Sequence, residues 1–379
     1  MATITKTLRA DLIKQGIHAP VEMAEVEIGH HFVKYTRVEL KFVVKFFRSL
    51  CAEISQFDYQ RYRDTGGVES VISDGEGYFV IGDAVEAVAL VNVPTGQERY
   101  TNKFYGPLFA YTLAQMYPKG LPSVMNVYVT YPWGDYPFVD DLKALLTGPL
   151  SFEYNRKHYQ TDILNVFAQP ESIGGLAYAG LHGDGEVFKD SVFQKNKSFK
   201  NGILIDMGGG TLQMAGIDGD GRINKSMGQE THYGLGGQGV LDALQIELRA
   251  SKPHREFFRH IVGKYPVSLL NDILLSEGWV YEERGYEIDC TSVVKRAGSL
   301  VLNAMYGHLK GFSNLNFDHI YVNGGGGSAT FALLRDMLKQ GKVLNNVETR
   351  VNMLTHPNDM IISNSGGHTK TVLSLWNQK

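Results

Sequence analysis

The stretch Ile203-Leu204-Ile205-Asp206-Met207-Gly208-Gly209-Gly210-Thr211-Leu212 runs from an apolar strand into a carboxylate and then into a turn almost without side chains. Glycine lets backbone N–H groups turn toward an anion and approach it closely, and an Asp at a strand end is placed to hold a hydrated Mg²⁺. The competing reading is an ordinary tight hairpin. A Walker A loop is excluded because no Gly-Lys-Ser/Thr follows, and a dinucleotide fingerprint because a strand pattern, not a helical one, comes after the glycines. A second passage, Ile320-Tyr321-Val322-Asn323, runs into Gly324, Gly325, Gly326 and Gly327 and then into a helical pattern from Thr330 to Leu338. Such a turn lays backbone against a base or ribose, and the following helix N-terminus favours anions. Two glycine turns in one half of the chain, each after a short apolar strand, predict one ligand clasped by both.

The N-terminal half offers two further pieces. In Val26-Glu27-Ile28-Gly29-His30-His31-Phe32-Val33-Lys34 an acid is followed by Gly29 two residues on and by Lys34 seven residues on. A hairpin brings Glu27 and Lys34 to one end, the acid toward a metal and the ammonium toward phosphate; a surface hairpin closed by an ion pair is the plain alternative. His30 and His31 are not read as metal ligands, because adjacent strand residues face opposite ways and no third ligand accompanies them. In Ala168-Gln169-Pro170-Glu171-Ser172-Ile173-Gly174-Gly175, Glu171 stands between a strand and a small-residue helix, where a carboxylate orients water for attack on a phosphoryl group or caps the helix.

These groups need elements to hold them. Strands are expected from Val21, at Tyr78–Ile81, at Val127–Val129, as a pair at Phe152–Tyr159 and Asp162–Phe167, at Gly202–Ile205, at Leu212–Ile217 and at His319–Val322. Helical faces run over Pro107–Tyr117, from Gly174, over parts of Val240–Tyr286 and over Val293–Leu309. Asp218-Gly219-Asp220-Gly221 signals a hairpin; as a calcium loop it fails, since its sixth and twelfth positions are Ile223 and Gln229. A polar stretch from Gly183 to Asn201 reads as a connector between an α/β first half and a second half, and residues 1–20 as a polar leader lacking the apolar run of a secretory signal. With 379 residues, 43% of them hydrophobic, two to three domains are expected. Thirty-seven Lys plus Arg against 40 Asp plus Glu give a net charge of −3, so no basic face for coating nucleic acid is expected. Cys51 and Cys290 are too few for a disulfide framework, which fits a cytoplasmic protein.

Taken in order, these pieces resemble the actin-like ATPases, and among them the bacterial and archaeal ParM/StbA type. Glu27 to Lys34 is similar to the family's first phosphate motif, Asp206 to Thr211 to its second, Pro170-Glu171 with Gly174 to its first connecting segment, Val322 to Ala329 to its adenosine motif, and Asn364-Ser365-Gly366-Gly367 to its second connecting helix. Three departures stand out: Glu27 where the family has Asp, the bulky His30-His31 in the first phosphate loop, and Gln213 where many ParM-like chains carry an acid.

The resemblance implies an α/β, actin-like fold of two domains, each a mixed sheet flanked by helices, with the nucleotide cleft between them. Domain I is expected over 21–180 with a C-terminal helix at 355–379, and domain II over 200–345. It implies ATP or GTP with Mg²⁺; Glu27 and Asp206 at the metal; Gly29, Lys34, Gly208, Gly209, Gly210, Thr211 and Gly324 to Gly327 at the nucleotide; and Glu171 at the attacking water. The expected function is a filament-forming ATPase that segregates plasmid or other DNA through a DNA-binding adaptor, without contacting nucleic acid or membrane itself. Activity is expected to be slow because of Glu27 and His30-His31. A small-molecule kinase or polyphosphatase of the same superfold, or a nucleotide-gated binding or chaperone module, is the alternative.

Overall fold

A computed structural model describes residues 23–377 apart from 40, 66–69, 88–97, 182–200, 219–222, 225–226, 314–316, 342–350, 355–358 and 360–361. The polar leader, the connector up to residue 200 and most of the Asp218–Gly221 turn lie outside the described residues; Ile217 and Ile223 form an antiparallel bridge on either side of that turn. The chain divides into two units, Met1–Lys197 with Asn358–Lys379, and Ser198–Pro357.

The first unit is built on a nine-stranded sheet. In chain order its elements are β1 (Met23–Ile28), β2 (Phe32–Arg37), β3 (Lys45–Arg48), β4 (Cys51–Glu53), α1 (Gln56–Thr65), β5 (Val71–Ser73), β6 (Tyr78–Ile81), α2 (Glu98–Thr101), α3 (Tyr105–Met116), β7 (Val124–Tyr131), α4 (Val139–Leu146), β8 (Gly148–Tyr154), β9 (Lys157–Pro170) and α5 (Glu171–Gly180). The spatial order is β3-β2-β1-β7-β9-β8-β5-β6-β4. The meander β3-β2-β1 is antiparallel, and β7 and β9 then run parallel to β1. All six residues of β1 are buried, including Glu25 and Glu27, as expected of an interior strand covered on both faces. The Phe152–Tyr159 segment is not one strand: it contains the turn between β8 and β9, where Asn155 and Arg156 adopt positive φ, and Asp162–Phe167 belongs to β9 itself. The alternation continues on both sides of the turn, so periodicity alone does not locate it.

The second unit carries β10 (Asn201–Met207), β11 (Thr211–Asp218), β12 (Gln229–Tyr233), α6 (Gly237–Ala250), α7 (Lys252–Phe257), α8 (Val267–Leu275), β13 (Val280–Glu283), β14 (Tyr286–Asp289), α9 (Thr291–Ser313), β15 (His319–Asn323), α10 (Gly325–Gly341) and β16 (Val351–Met353). Its main sheet has the order β12-β11-β10-β15-β16: again an antiparallel meander of three strands followed by two parallel strands. The core-facing residues of β10 and β11, among them Ile203, Ile205, Met207, Leu212 and Met214, join one buried cluster with Leu244 of α6, Val293 and Met305 of α9, and Leu334 of α10. The segment 280–289, expected within a helical region, is instead the hairpin β13–β14, turning through Arg284 and Gly285, both at positive φ. The glycine run also differs from expectation. Only Gly324 turns, at φ +84°, while Gly325 to Gly327 are the first turn of α10.

The last helix, α11 (Ser363–Asn377), starts at Ser363 and packs in the first unit against α5. The two helices touch backbone to backbone. A Cβ on Gly174 would sit 2.1 Å from the Asn364 carbonyl oxygen, and one on Gly367 1.7 Å from that of Gly174, so no larger residue fits at the crossing. No helix among the described residues is long and apolar enough to cross a membrane.

Candidate functional site

In the second unit the hairpin β10–β11 places Asp206 at the strand end, 1% exposed, directly opposite Gln213, also 1% exposed. Across the parallel neighbour, Asn323 donates from Nδ2 to Asp206 Oδ1 at 3.4 Å. The loop Gly208-Gly209-Gly210 is pinned from the α6 side. Gly237 N–H donates to the Gly208 carbonyl at 2.8 Å, Gln238 N–H to that of Gly209 at 2.8 Å, and Gly234 N–H to that of Gly210 at 2.9 Å. With its carbonyls engaged, and Gly208 N–H donating to the Thr211 carbonyl at 2.9 Å, the loop has the amides of Gly209 and Gly210, which meet no backbone acceptor among the described residues, to offer an anion. Gly324 closes the arrangement. A Cβ there would lie 2.3 Å from the Met207 carbonyl oxygen and 2.7 Å from Asp206 Oδ1, and its φ of +84° disfavours any other residue. Both glycine passages and Asp206 are thus brought together at the C-terminal ends of the parallel strands β10 and β15, the end at which open α/β sheets hold ligands. Thr211, 4% exposed, begins β11.

In the first unit Glu27 and Lys34 are direct cross-strand partners and form an ion pair, with the Glu27 side chain 3% and the Lys34 side chain 15% exposed. Gly29 makes the turn, its N–H donating to the Phe32 carbonyl at 3.0 Å. His30 and His31 lie in that turn and not on a strand, so their rings stand side by side, 5.2 Å between centroids, instead of on opposite faces.

Glu171 is the first residue of α5, behind Pro170 at the N-cap. Its carboxylate lies 3.6 Å from the Arg99 guanidinium, which is 3.9 Å from Asp135; Tyr100 donates to the same Asp135 oxygen at 2.8 Å. Arg99 and Asp135 are almost wholly buried. Burial alone penalises the guanidinium charge, but Tyr100, Glu171 and Asp135 outweigh it and hold Arg99 protonated. Behind Glu171 sits His368 of α11. Its Nδ1 faces the Tyr128 hydroxyl at 3.2 Å and its Nε2 the Glu171 carbonyl at 3.3 Å, an arrangement satisfied by neutral imidazole with the proton on Nε2. Burial lowers its pKa to about 4. Ser365 donates to the buried Glu25 carboxyl, whose pKa burial pushes well above the ordinary carboxylate value. Lys370 donates to the carbonyls of Tyr178 and Leu181, at 2.9 and 2.8 Å, closing the C-terminal end of α5.

Two antiparallel-then-parallel sheets, a glycine hairpin in each unit and a C-terminal helix returning to the first unit decide the architecture. The chain has the actin-like fold. Residues 26–174 match the family model of the actin like proteins N terminal domain. Among solved actin-like structures, the archaeal actin homologue Ta0583, in complex with ADP, is 14% identical with a TM-score of 0.64, over 93% of this chain and 99% of that one. The actin-like protein Alp7A is 12% identical with a TM-score of 0.65, over 93% and 95%. The psk41 ParM protein in apo form is 12% identical with a TM-score of 0.58, over 93% and 97%. No curated protein matches the chain.

Sequence reading of this actin-like chain did not find Arg99, Asp135, Glu25 or His368. Arg99 and Asp135 stand in no motif, and a lone Arg or Asp in a loop-rich stretch gives no sign that it will be buried. His368 directly follows the Gly366-Gly367 pair, and that adjacency was the available signal.

Proposed function

We propose that the protein is a nucleotide-dependent, filament-forming ATPase that moves or positions DNA through a separate adaptor protein. The observation that carries this reading is the second unit's arrangement: a buried carboxylate at a strand end, flanked by a pinned glycine loop and by the close backbone of Gly324. The ADP bound to the archaeal homologue supports a nucleotide as the ligand. Asp206, with the side-chain amides of Gln213 and Asn323 beside it, presents hard oxygen donors of the kind Mg²⁺ takes, and Mg²⁺ supplies neutralisation of phosphate charge when bound.

In this reading Gly209 and Gly210 donate amides to phosphate oxygens, Thr211 bounds the loop, and Gly324 with the first turn of α10 lies against the nucleoside. Within the first unit, Gly29 and Lys34 form its own candidate phosphate-binding group, with Glu27 its cation-binding acid. Lys34 is then shared between Glu27 and the ligand, which makes the first hairpin responsive to nucleotide. Glu171 orients the attacking water, and Arg99 holds its carboxylate in place. Assembly would use surfaces in 39–102 and 251–289, where Phe57, Val43, Val262 and Tyr286 are exposed. Head-to-tail contacts that do not close give a helical polymer.

Sedimentation and negative-stain electron microscopy of the purified protein with Mg-ATP, with Mg-GTP and without nucleotide test the proposal. Pelletable filaments with a triphosphate, lost when it is exhausted and in Phe57→Asp or Val262→Asp, are expected. A monomer at all concentrations that phosphorylates a small substrate would point to the kinase alternative.

A further inference from the structure

Glu230, His232 and His308 converge on one point in the second unit, and none of them belongs to a motif discussed above. Their ligating atoms all lie within 4.8 Å of one another. The first two come from the edge strand β12, which pairs with β11 in the register Met214↔Glu230 and Leu212↔His232. Residues two apart on a strand share a face, and Leu212 and Met214 belong to the helix-covered core, so Glu230 and His232 project toward the same side as α9. From α9, His308 reaches back between Met305 and Leu309, both fully buried, which fix its turn of the helix against that core. His232 Nε2 is 2.9 Å and His308 Nδ1 3.2 Å from the same oxygen, Glu230 Oε2, and the two rings lie 3.6 Å apart, tilted by 34°.

A carboxylate oxygen accepting from two imidazole N–H groups accounts for the distances without an ion. It does not account for the chemistry of the set. Two imidazole nitrogens and one carboxylate oxygen, delivered by two rigid elements and aimed at one centre, are the three-protein-ligand set of a Zn²⁺ site that leaves a position for water. Tetrahedral Zn²⁺ spaces its ligand atoms about 3.3 Å apart, so modest side-chain adjustment admits the ion in place of the two protons. Imidazole donors disfavour Mg²⁺ and Ca²⁺, which take oxygen. The three side chains are between one-fifth and two-fifths exposed, which leaves a path for the ion and its water.

We propose that Glu230, His232 and His308 form a Zn²⁺-binding site that ties the edge strand β12 to α9. β12 leads directly into Gly234–Gln238, whose amides pin the carbonyls of the Gly208–Gly210 loop. The site is therefore placed to stiffen that loop, but its existence does not depend on what the loop binds.

The test uses the full chain, stripped with chelator and titrated with ZnCl₂ by calorimetry without nucleotide, alongside His308→Gln, His232→Asn and Glu230→Gln. The expected result is one tight Zn²⁺ per chain, weakened at least about tenfold in each histidine variant and less in Glu230→Gln. Co²⁺ added to the stripped wild type should give visible absorption of a four- or five-coordinate site that His308→Gln lacks. Zn²⁺ should raise the unfolding temperature of the wild type more than that of either histidine variant. Circular dichroism confirms that each variant is folded; if one histidine variant is not, the other two variants carry the comparison. No Zn²⁺ uptake by the wild type at micromolar concentrations overturns the proposal. So does wild-type affinity in the folded histidine variants, which would place the ion on other histidines.

Discussion

The two units repeat one design, a hairpin of β-strands with an acid near its end followed by parallel strands, yet they treat the acid's charge differently. In the first, Glu27 is answered across the hairpin by Lys34, and Glu171 by the buried Arg99 that also serves Asp135. In the second, Asp206 stands opposite Gln213 and takes a hydrogen bond from Asn323, both neutral amides. Charges matched by a countercharge inside the fold contribute to holding it, and removing one partner strands the other in a poorly solvating interior. In the proposed function Asp206, beside its glycine loop, serves the bound cation. Substitutions at the first unit's acids should therefore read out in stability as well as in activity, and at Asp206 chiefly in binding.

The largest expected effect is at Arg99. Arg99→Met leaves Asp135 and Glu171 without the guanidinium and should lower unfolding stability by about 3–5 kcal/mol in urea denaturation. A change below about 1 kcal/mol would show that the cluster is not held by that charge.

His368 gives a pH signature next. It is neutral in the folded chain, with its pKa at about 4 against 6.5 unperturbed, so the unfolded state binds the extra proton. Its contribution is full above pH 6.5 and is lost as pH falls toward 4, by roughly 3 kcal/mol at most. Denaturation curves across that range should lose part of their slope in His368→Gln.

Asp206→Asn should weaken nucleotide affinity by about 100-fold in calorimetry while changing unfolding stability by less than about 1 kcal/mol. A large stability loss with unchanged affinity would reverse the contrast between the units.

The smallest effect is expected at the first hairpin. Lys34→Met should cost about 1–3 kcal/mol by leaving Glu27 without its partner, and adding Glu27→Gln should recover most of it. Strict additivity of the two would mean that the ion pair contributes nothing beyond its separate parts.

The glycine motifs, Asp206, the Glu27–Lys34 spacing, Glu171 and the strands β6, β7, β10, β11 and β15 are legible in the sequence because each is a local pattern: an apolar run, a turn, a carboxylate at a fixed offset. The short strands β3, β4, β5 and β16, and the hairpin β13–β14, are not. They span three or four residues each, too few to establish a period, and they exist because a neighbouring strand offers its edge.

Sequence alone determined where the chain can turn tightly and which acids stand at strand ends, since glycine's freedom and strand periodicity act over a few residues. Only the tertiary structure decided what those acids meet. Arg99 reaches Glu171 across 72 positions, His368 reaches it across 197, and His308 meets Glu230 across 78, and no local pattern records such encounters. It also decided the purpose of the late glycines: Gly367 is required because another backbone passes within contact of its Cα, a constraint set by packing and invisible in the residue itself.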